Sequence, residues 1–156
     1  MEKHLHLTPE EMPPISRVDR REGYAFTKRE LVPLREGGHC RVYHYEIPPG
    51  KANYPYHYHG DSEEAFYILR GEGELKTPDG IKTVRAGDFL FFPAGAGGAH
   101  KLTNISETEP LVYIDFDTTQ KLDVSFYPET GKVGVWTPEI GSVFQRSASV
   151  DYYQGE

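Results

Sequence analysis

Apolar and polar residues alternate along this chain in short runs, and glycine and proline cut the runs at close intervals. The stretches between the cuts are rich in Val, Ile, Phe, Tyr and Thr, which is strand composition, and they are too short for long helices. The pattern predicts strands near 24–28, 40–47, 55–59, 64–70, 73–77, 80–85, 88–92, 100–104 and 110–117. Thr77-Pro78-Asp79-Gly80 joins two of these as a tight turn, because proline presets one torsion and glycine accepts a positive one. Leu111 to Phe116, with Val112, Ile114 and Phe116 on one face, closes the main block. Beyond Asp117, Val124–Tyr127 and Lys132–Trp136 read as a hairpin around Pro128-Glu129-Thr130-Gly131. A lone hairpin is marginal in water, so it is expected to pack on the main block or on a partner subunit. Residues 1–23 have no sustained period; Pro9, Pro13 and Pro14 favour an extended arm with at most a brief helical turn from Thr8. Three parts follow: an arm (1–23), a barrel or sandwich of short strands (24–117) and an extension (118–156).

Composition narrows the function classes. A chain of 156 residues and 17.7 kDa is one domain in size, and 13% aromatic residues can build a core despite a hydrophobic share of 37%. The net charge of −7, with no cluster of Lys or Arg, supplies no face for nucleic acid or anionic membranes. No stretch is long and apolar enough to span a bilayer. The acids among the first twelve residues do not suit a secretory signal. Cys40 is the single cysteine, so no intrachain disulfide is possible. A cytoplasmic location is expected, and Cys40 reads as a small core residue.

The histidines carry the chemical information. His57 and His59 are one residue apart in a predicted strand, so both rings project to the same side. Gly60-Asp61 can turn the chain and bring Glu64, at the head of the next strand, alongside them. His100 follows the glycine-rich Gly95-Ala96-Gly97-Gly98 and opens another strand. Burying such a group is costly unless something compensates it, and a divalent metal does. Mixed nitrogen and oxygen ligands suit Fe, Mn, Ni, Zn or Cu better than Mg or Ca. Spacing alone is weak evidence, however. His4 and His6 have the same spacing in the arm, with no carboxylate in register, and His39 and His44 read as surface or core-edge residues.

The surroundings add a family resemblance. The run from Gly50 through Pro55, His57, His59 and Glu64 to Gly71 resembles the first signature motif of the cupins. Gly87, Pro93, Gly95, His100 and Asn104 resemble the second. The likeness covers roughly residues 40 to 117. Two spacings depart from the family pattern: Gly50 to His57 is longer by one residue and Gly95 to His100 by two, both in loops. The resemblance implies an all-β fold, a double-stranded β-helix (the jelly-roll cupin barrel) with an N-terminal arm and a C-terminal hairpin extension. It implies His57, His59, Glu64 and His100 as ligands of a divalent transition metal (Zn, Mn, Fe or Ni). Glu63 competes with Glu64, but strand parity with Phe66 and Ile68 and the step to Gly71 favour Glu64. Phe66, Ile68 and Leu102 are expected to form an apolar wall of the substrate pocket, and no general base stands out. Cupins with this ligand set include oxidases, dioxygenases, decarboxylases and isomerases. The function expected is therefore a metal-dependent enzyme of oxygenase, decarboxylase or isomerase type acting on a small oxygenated molecule. The alternative is a non-catalytic binding or sensor cupin. Open strand edges, with an arm and a hairpin available to cover them, lead us to expect a homodimer.

Overall fold

Alternation along each strand decides which side chains reach the interior. The computed structural model describes residues 4–18, 23–35 and 37–155. One antiparallel sheet runs in the order β1 (Ile15–Val18), β2 (Ala25–Val32), β3 (Cys40–Ile47), β10 (Leu111–Thr118), β5 (Glu64–Arg70), β8 (Phe89–Phe92). A second sheet holds β7 (Gly80–Arg85), β6 (Glu72–Thr77) and β9 (Lys101–Asn104). A third holds β13 (Gly141–Gln145), β12 (Lys132–Trp136), β11 (Asp123–Tyr127) and the two-residue β4 (Tyr58–His59). Backbone bridges His57–His100 and Ala52–Thr103 tie the segment before β4 to the region of β9. The second and third sheets thereby join into a layer facing the first, which makes the jelly-roll expected from the sequence. Among the described residues the only helical pieces are three single 3-10 turns, and no helix is long and apolar enough to cross a membrane.

Tyr45, Ile47, Phe66, Ile68 and Tyr113 from the six-stranded sheet meet Leu75, Val84 and Leu102 from the facing layer in one core. The buried phenols find partners, as they must. Asn53 Nδ2 donates to Tyr113 Oη at 2.7 Å, and the hydroxyls of Tyr45 and Tyr54 lie 2.9 Å apart. The strand register then sorts the interior by polarity. Ile68, Tyr113, Tyr45 and Lys28 lie opposite one another in one row, and Phe66, Asp115 and Tyr43 in the next. Glu64, Asp117 and Arg41 form the row beyond. The barrel is apolar at one end and ionisable at the other.

The strand predicted at 55–59 shrinks to Tyr58–His59. Pro55 supplies no amide for a ladder, and Asn53 turns the chain by accepting from the Tyr54 amide at 2.7 Å. The arm contains a strand, β1, paired with β2 from Ile15–Lys28 to Val18–Ala25. Residues 1–3 and 19–22 of that arm lie outside the described residues. The hairpin beyond Asp117 forms, and a third strand, β13, is added to it. β11 pairs with β4 through Ser125–His59 and Phe126–Tyr58, so the extension docks beside one of the predicted ligands.

Candidate metal centre

Each predicted ligand is delivered by a different local device. His57 sits in the bridge to His100, His59 in β4, Glu64 at the start of β5, and His100 just before β9. The three imidazole Nε2 atoms converge on one carboxylate oxygen. Glu64 Oε2 lies 4.0 Å from His57, 3.4 Å from His59 and 3.3 Å from His100. Ligands bonded to one ion at about 2.1 Å stand roughly 3–4 Å from each other, so these spacings suit a shared metal. His57, His59 and Glu64 form a group whose ligand atoms all lie within 4.8 Å of one another; His100 reaches Glu64 but does not come that close to every member. The His100 ring is stacked on Phe92, with centroids 3.7 Å apart. Glu63 is exposed on the outer face, where its amide donates to Thr118 Oγ1 at 2.8 Å. Strand parity thus separates the two glutamates as expected.

The hydrogen bonds on the far side of each ring fix its tautomer. His57 Nδ1 donates to the Pro55 carbonyl and His100 Nδ1 to the Gly98 carbonyl, both at 2.9 Å. His59 Nδ1 donates to Asp123 Oδ2. With each proton held on Nδ1, every Nε2 presents a lone pair to Glu64, and the carboxylate answers with lone pairs of its own. Glu64 Oε2 and His100 Nε2 are buried without a hydrogen-bond partner. A buried cluster made of acceptors alone asks for a cation or a proton. The donor set of three imidazole nitrogens and one carboxylate fits a divalent transition metal.

A family model for the cupin domain matches residues 43–117, the segment that carries His57, His59, Glu64 and His100. Residues 43–117 are a cupin domain. The structure resembles that of a protein from Acidithiobacillus ferrooxidans provisionally assigned as a sugar phosphate isomerase, with 29% identity and a TM-score of 0.79; the match covers 94% of this chain and 95% of that one. A cupin-superfamily sugar phosphate isomerase from Silicibacter pomeroyi matches over 96% of this chain and 98% of its own, at 18% identity and a TM-score of 0.77. A predicted oxalate decarboxylase from Thermotoga maritima matches over 74% of this chain and all of its own, at 23% identity and a TM-score of 0.61. In sequence, an uncharacterized protein of Aquifex aeolicus is 38% identical over 58 residues, which is 37% of this chain and 46% of that relative.

Electrostatics in the metal-free cupin centre follow from burial. His57 is pulled down to about 4, by desolvation first and then by the neighbouring His59, and His100 falls well below the usual imidazole range for the same kind of reason. Both rings are neutral at pH 7 and ready to ligate. Burial also works against the charged form of His59, but the bond to Asp123 and the carboxylates of Glu64, Asp123 and Asp117 outweigh it and raise its pKa. Glu64 is pushed up to about 8, by burial first and then by Asp117.

Several residues of this centre escaped the sequence reading. Asp115 and Asp117 alternate with the apolar face of β10 and point inward, next to Glu64; with it they form a second group of close carboxylate oxygens. Asp123 and Ser125 come from β11, outside the matched segment. Ser125 Oγ accepts from Trp136 Nε1 at 2.7 Å and lies 3.4 Å from His59 Nδ1. Of the expected pocket wall, Phe66 meets the His100 ring edge-on at 5.4 Å, while Ile68 and Leu102 lie in the packed core.

The extra residues between Gly95 and His100 form a 3-10 turn, Ala96–Gly98, that folds back on Pro93. A Cβ at Gly98 would collide with the Pro93 carbonyl. Gly98→Ala is therefore expected to displace the His100 loop and cost about 1–3 kcal/mol, the usual penalty of overpacking. Thermal denaturation of the metal-free protein measures it; an unchanged midpoint would mean that the loop yields freely.

Proposed function

We propose that this cupin is a divalent-metal-dependent isomerase acting on a small, anionic, oxygenated molecule, with a phosphorylated sugar as the substrate class. The observation that carries the metal part is the convergence of three Nδ1-anchored imidazoles on one partnerless carboxylate oxygen. His57, His59, Glu64 and His100 would hold the ion, with Zn, Mn, Fe and Ni all compatible with the donor set. When bound, such an ion supplies Lewis acidity, polarising a carbonyl or hydroxyl of the substrate.

The choice of isomerase rests on likeness to the Acidithiobacillus protein and on the inner wall of the barrel. Lys28 and Arg41 are inward-facing and only partly buried, and both approach Tyr43: Lys28 Nζ is 4.3 Å and Arg41 Cζ 6.0 Å from the ring centroid. Arg41 Nε has no hydrogen-bond partner, and Arg41 Nη2 is 3.7 Å from Asp117. Arg41 stands two strands away from Glu64, about 10 Å at ordinary strand spacing. An open-chain sugar phosphate has that order of length between its carbonyl and its phosphate, so the two cations suit the anionic end. Isomerisation moves a proton between adjacent carbons with no net oxidation, and so needs an acid or base near the reacting end. Asp115 is buried beside Glu64, and its carboxyl is raised well above the usual range by burial first and then by Asp117, which suits it to the role of the acid.

The test is turnover. Protein loaded separately with Zn, Mn, Fe and Ni is incubated with aldose and ketose phosphates, oxalate and simple diketones. NMR follows the products, with an oxygen electrode and CO2 detection alongside. Interconversion of an aldose and a ketose phosphate is the expected result. Oxygen uptake or CO2 release would replace the isomerase reading with an oxygenase or decarboxylase. Tight stoichiometric binding without turnover would favour a binding or sensor cupin. Metal occupancy is expected to fall as pH drops through the imidazole range, because protons compete for the ligand nitrogens. Full occupancy at about pH 4, well below the ordinary imidazole pKa, would contradict histidine ligation.

A further inference from the structure

Outward-facing positions of the six-stranded sheet carry an apolar surface where charge would be expected. Tyr67 and Leu69 of β5, Phe89 and Phe91 of β8, and Phe116 of β10 are all exposed; Phe89 is 66% and Phe91 54% accessible. The register sets Phe91 opposite Ala65 and Phe89 opposite Tyr67, so these side chains are contiguous rather than scattered. A groove of about 440 Å³ runs between them. β8 lies at the end of the sheet order, and its sequence, Phe-Leu-Phe-Phe, has none of the charges or prolines that usually protect an edge.

A second apolar surface lies on the same chain. Every described residue from Glu139 to Gly155 is exposed, although the segment includes Val143, Phe144, Val150, Tyr152 and Tyr153. Tyr152 and Tyr153 are 87% and 75% accessible. β13 is held to β12 by backbone pairing, but none of its side chains is buried. The sequence of this strap pays for aromatic and branched side chains that its own fold leaves in water.

We propose that the two surfaces are halves of one interface, the C-terminal strap of each subunit lying on the β5–β8–β10 face of a second copy. Two-fold symmetry makes such a contact reciprocal, so one association covers both surfaces on both chains. A foreign partner on the sheet face would leave the strap uncovered. The areas agree. With about 200 Å² for a fully exposed aromatic side chain, the face and the strap each offer on the order of 500 Å². Together they approach the roughly 800 Å² per partner that a stable dimer buries. The proposal is independent of the metal and of the reaction.

Complementation tests it. Sedimentation velocity at micromolar concentration is expected to give a dimer for the unaltered protein, with and without chelator. Phe91→Lys breaks the face, and Tyr152→Ser with Tyr153→Ser breaks the strap; each altered chain is expected to dimerise at least 10-fold more weakly. These side chains are exposed, so circular dichroism and melting of the variants should match the parent, and Phe89→Lys replaces Phe91→Lys if that variant fails to fold. The two altered chains are then mixed. Face-broken chains retain a strap and strap-broken chains retain a face, so a heterodimer with one intact contact should form where neither chain pairs with itself. A monomeric parent, a dimer insensitive to the strap substitutions, or failure of the mixture to pair would each overturn the proposal. The last outcome would mean that faces pack on faces, or that each strap covers its own subunit.

Discussion

Glu64→Gln will abolish stoichiometric metal binding and, in the same protein, raise the stability of the metal-free fold at pH 8. The two effects have one cause. In the metal-free fold the Glu64 carboxyl is pushed up to about 8 from an ordinary value of 4.5. Between those values the folded chain keeps a proton that the unfolded chain has released, so stability falls as pH rises through the window and the full penalty is reached above about pH 8. For a fully buried group the size is several kcal/mol, on the order of 5 at most. His57, depressed to about 4, acts in the opposite sense: its penalty appears as pH falls below its ordinary value of 6.5. Above about pH 6.5 His59, whose pKa is raised, slopes the curve in the same direction, so the glutamate effect is read as the difference between the two proteins. In that range the melting temperature of chelator-treated wild-type protein should drop more steeply than that of the glutamine variant. Parallel curves would mean that the carboxyl is not held, uncompensated, inside the barrel. Loading metal onto the wild type should reverse its slope, because the ion takes the place of the proton.

The second large effect lies outside the matched domain segment. Asp123→Ala removes the acceptor for His59 Nδ1 and is expected to weaken metal binding by about 10–100-fold, the usual cost of losing such a partner. Asp123 also sits 3.4 Å from the amides of Asp61 and Ser62, so the loop between β4 and β5 loosens with it. Competition against a chelating dye measures the affinity. Trp136→Phe, which loses the bond to Ser125 and part of the ring packed over Gly134 but leaves Asp123 in place, should have a smaller effect. Equal affinities for parent and Asp123→Ala would detach the hairpin from the metal centre and leave it a purely structural appendage.

How far the sequence reveals this molecule depends on how locally each feature is encoded. The strands at 40–47, 64–70, 80–85 and 101–104 were legible because alternation and turn residues are written within a few positions. The convergence of His57, His59, Glu64 and His100 was legible through two motifs whose spacing is tied to the barrel. Asp123 was not. Its role depends on β11 pairing with β4, a contact between residues 64 apart in sequence, and no local pattern announces that pairing. Asp115 and Asp117 are within reach of the sequence: two acids in phase with Tyr113 signal a polar interior, but the alternate positions Val112, Ile114 and Phe116 give the strand a stronger apolar face on its other side. Strand β1 was hidden because Ile15-Ser16-Arg17-Val18 has all four side chains exposed and is held only by backbone pairing to β2.

The anchors of the three imidazoles are not equally open to change. Those of His57 and His100 are main-chain oxygens, of Pro55 and Gly98, and no side-chain replacement at 55 or 98 can delete them. Only at His59 is the anchor itself a side chain. Chains that share this architecture but favour different ions therefore have one economical place to diverge, position 123, where a carboxylate, an amide or a hydroxyl would each give the same ring a different basicity while the other two stayed fixed.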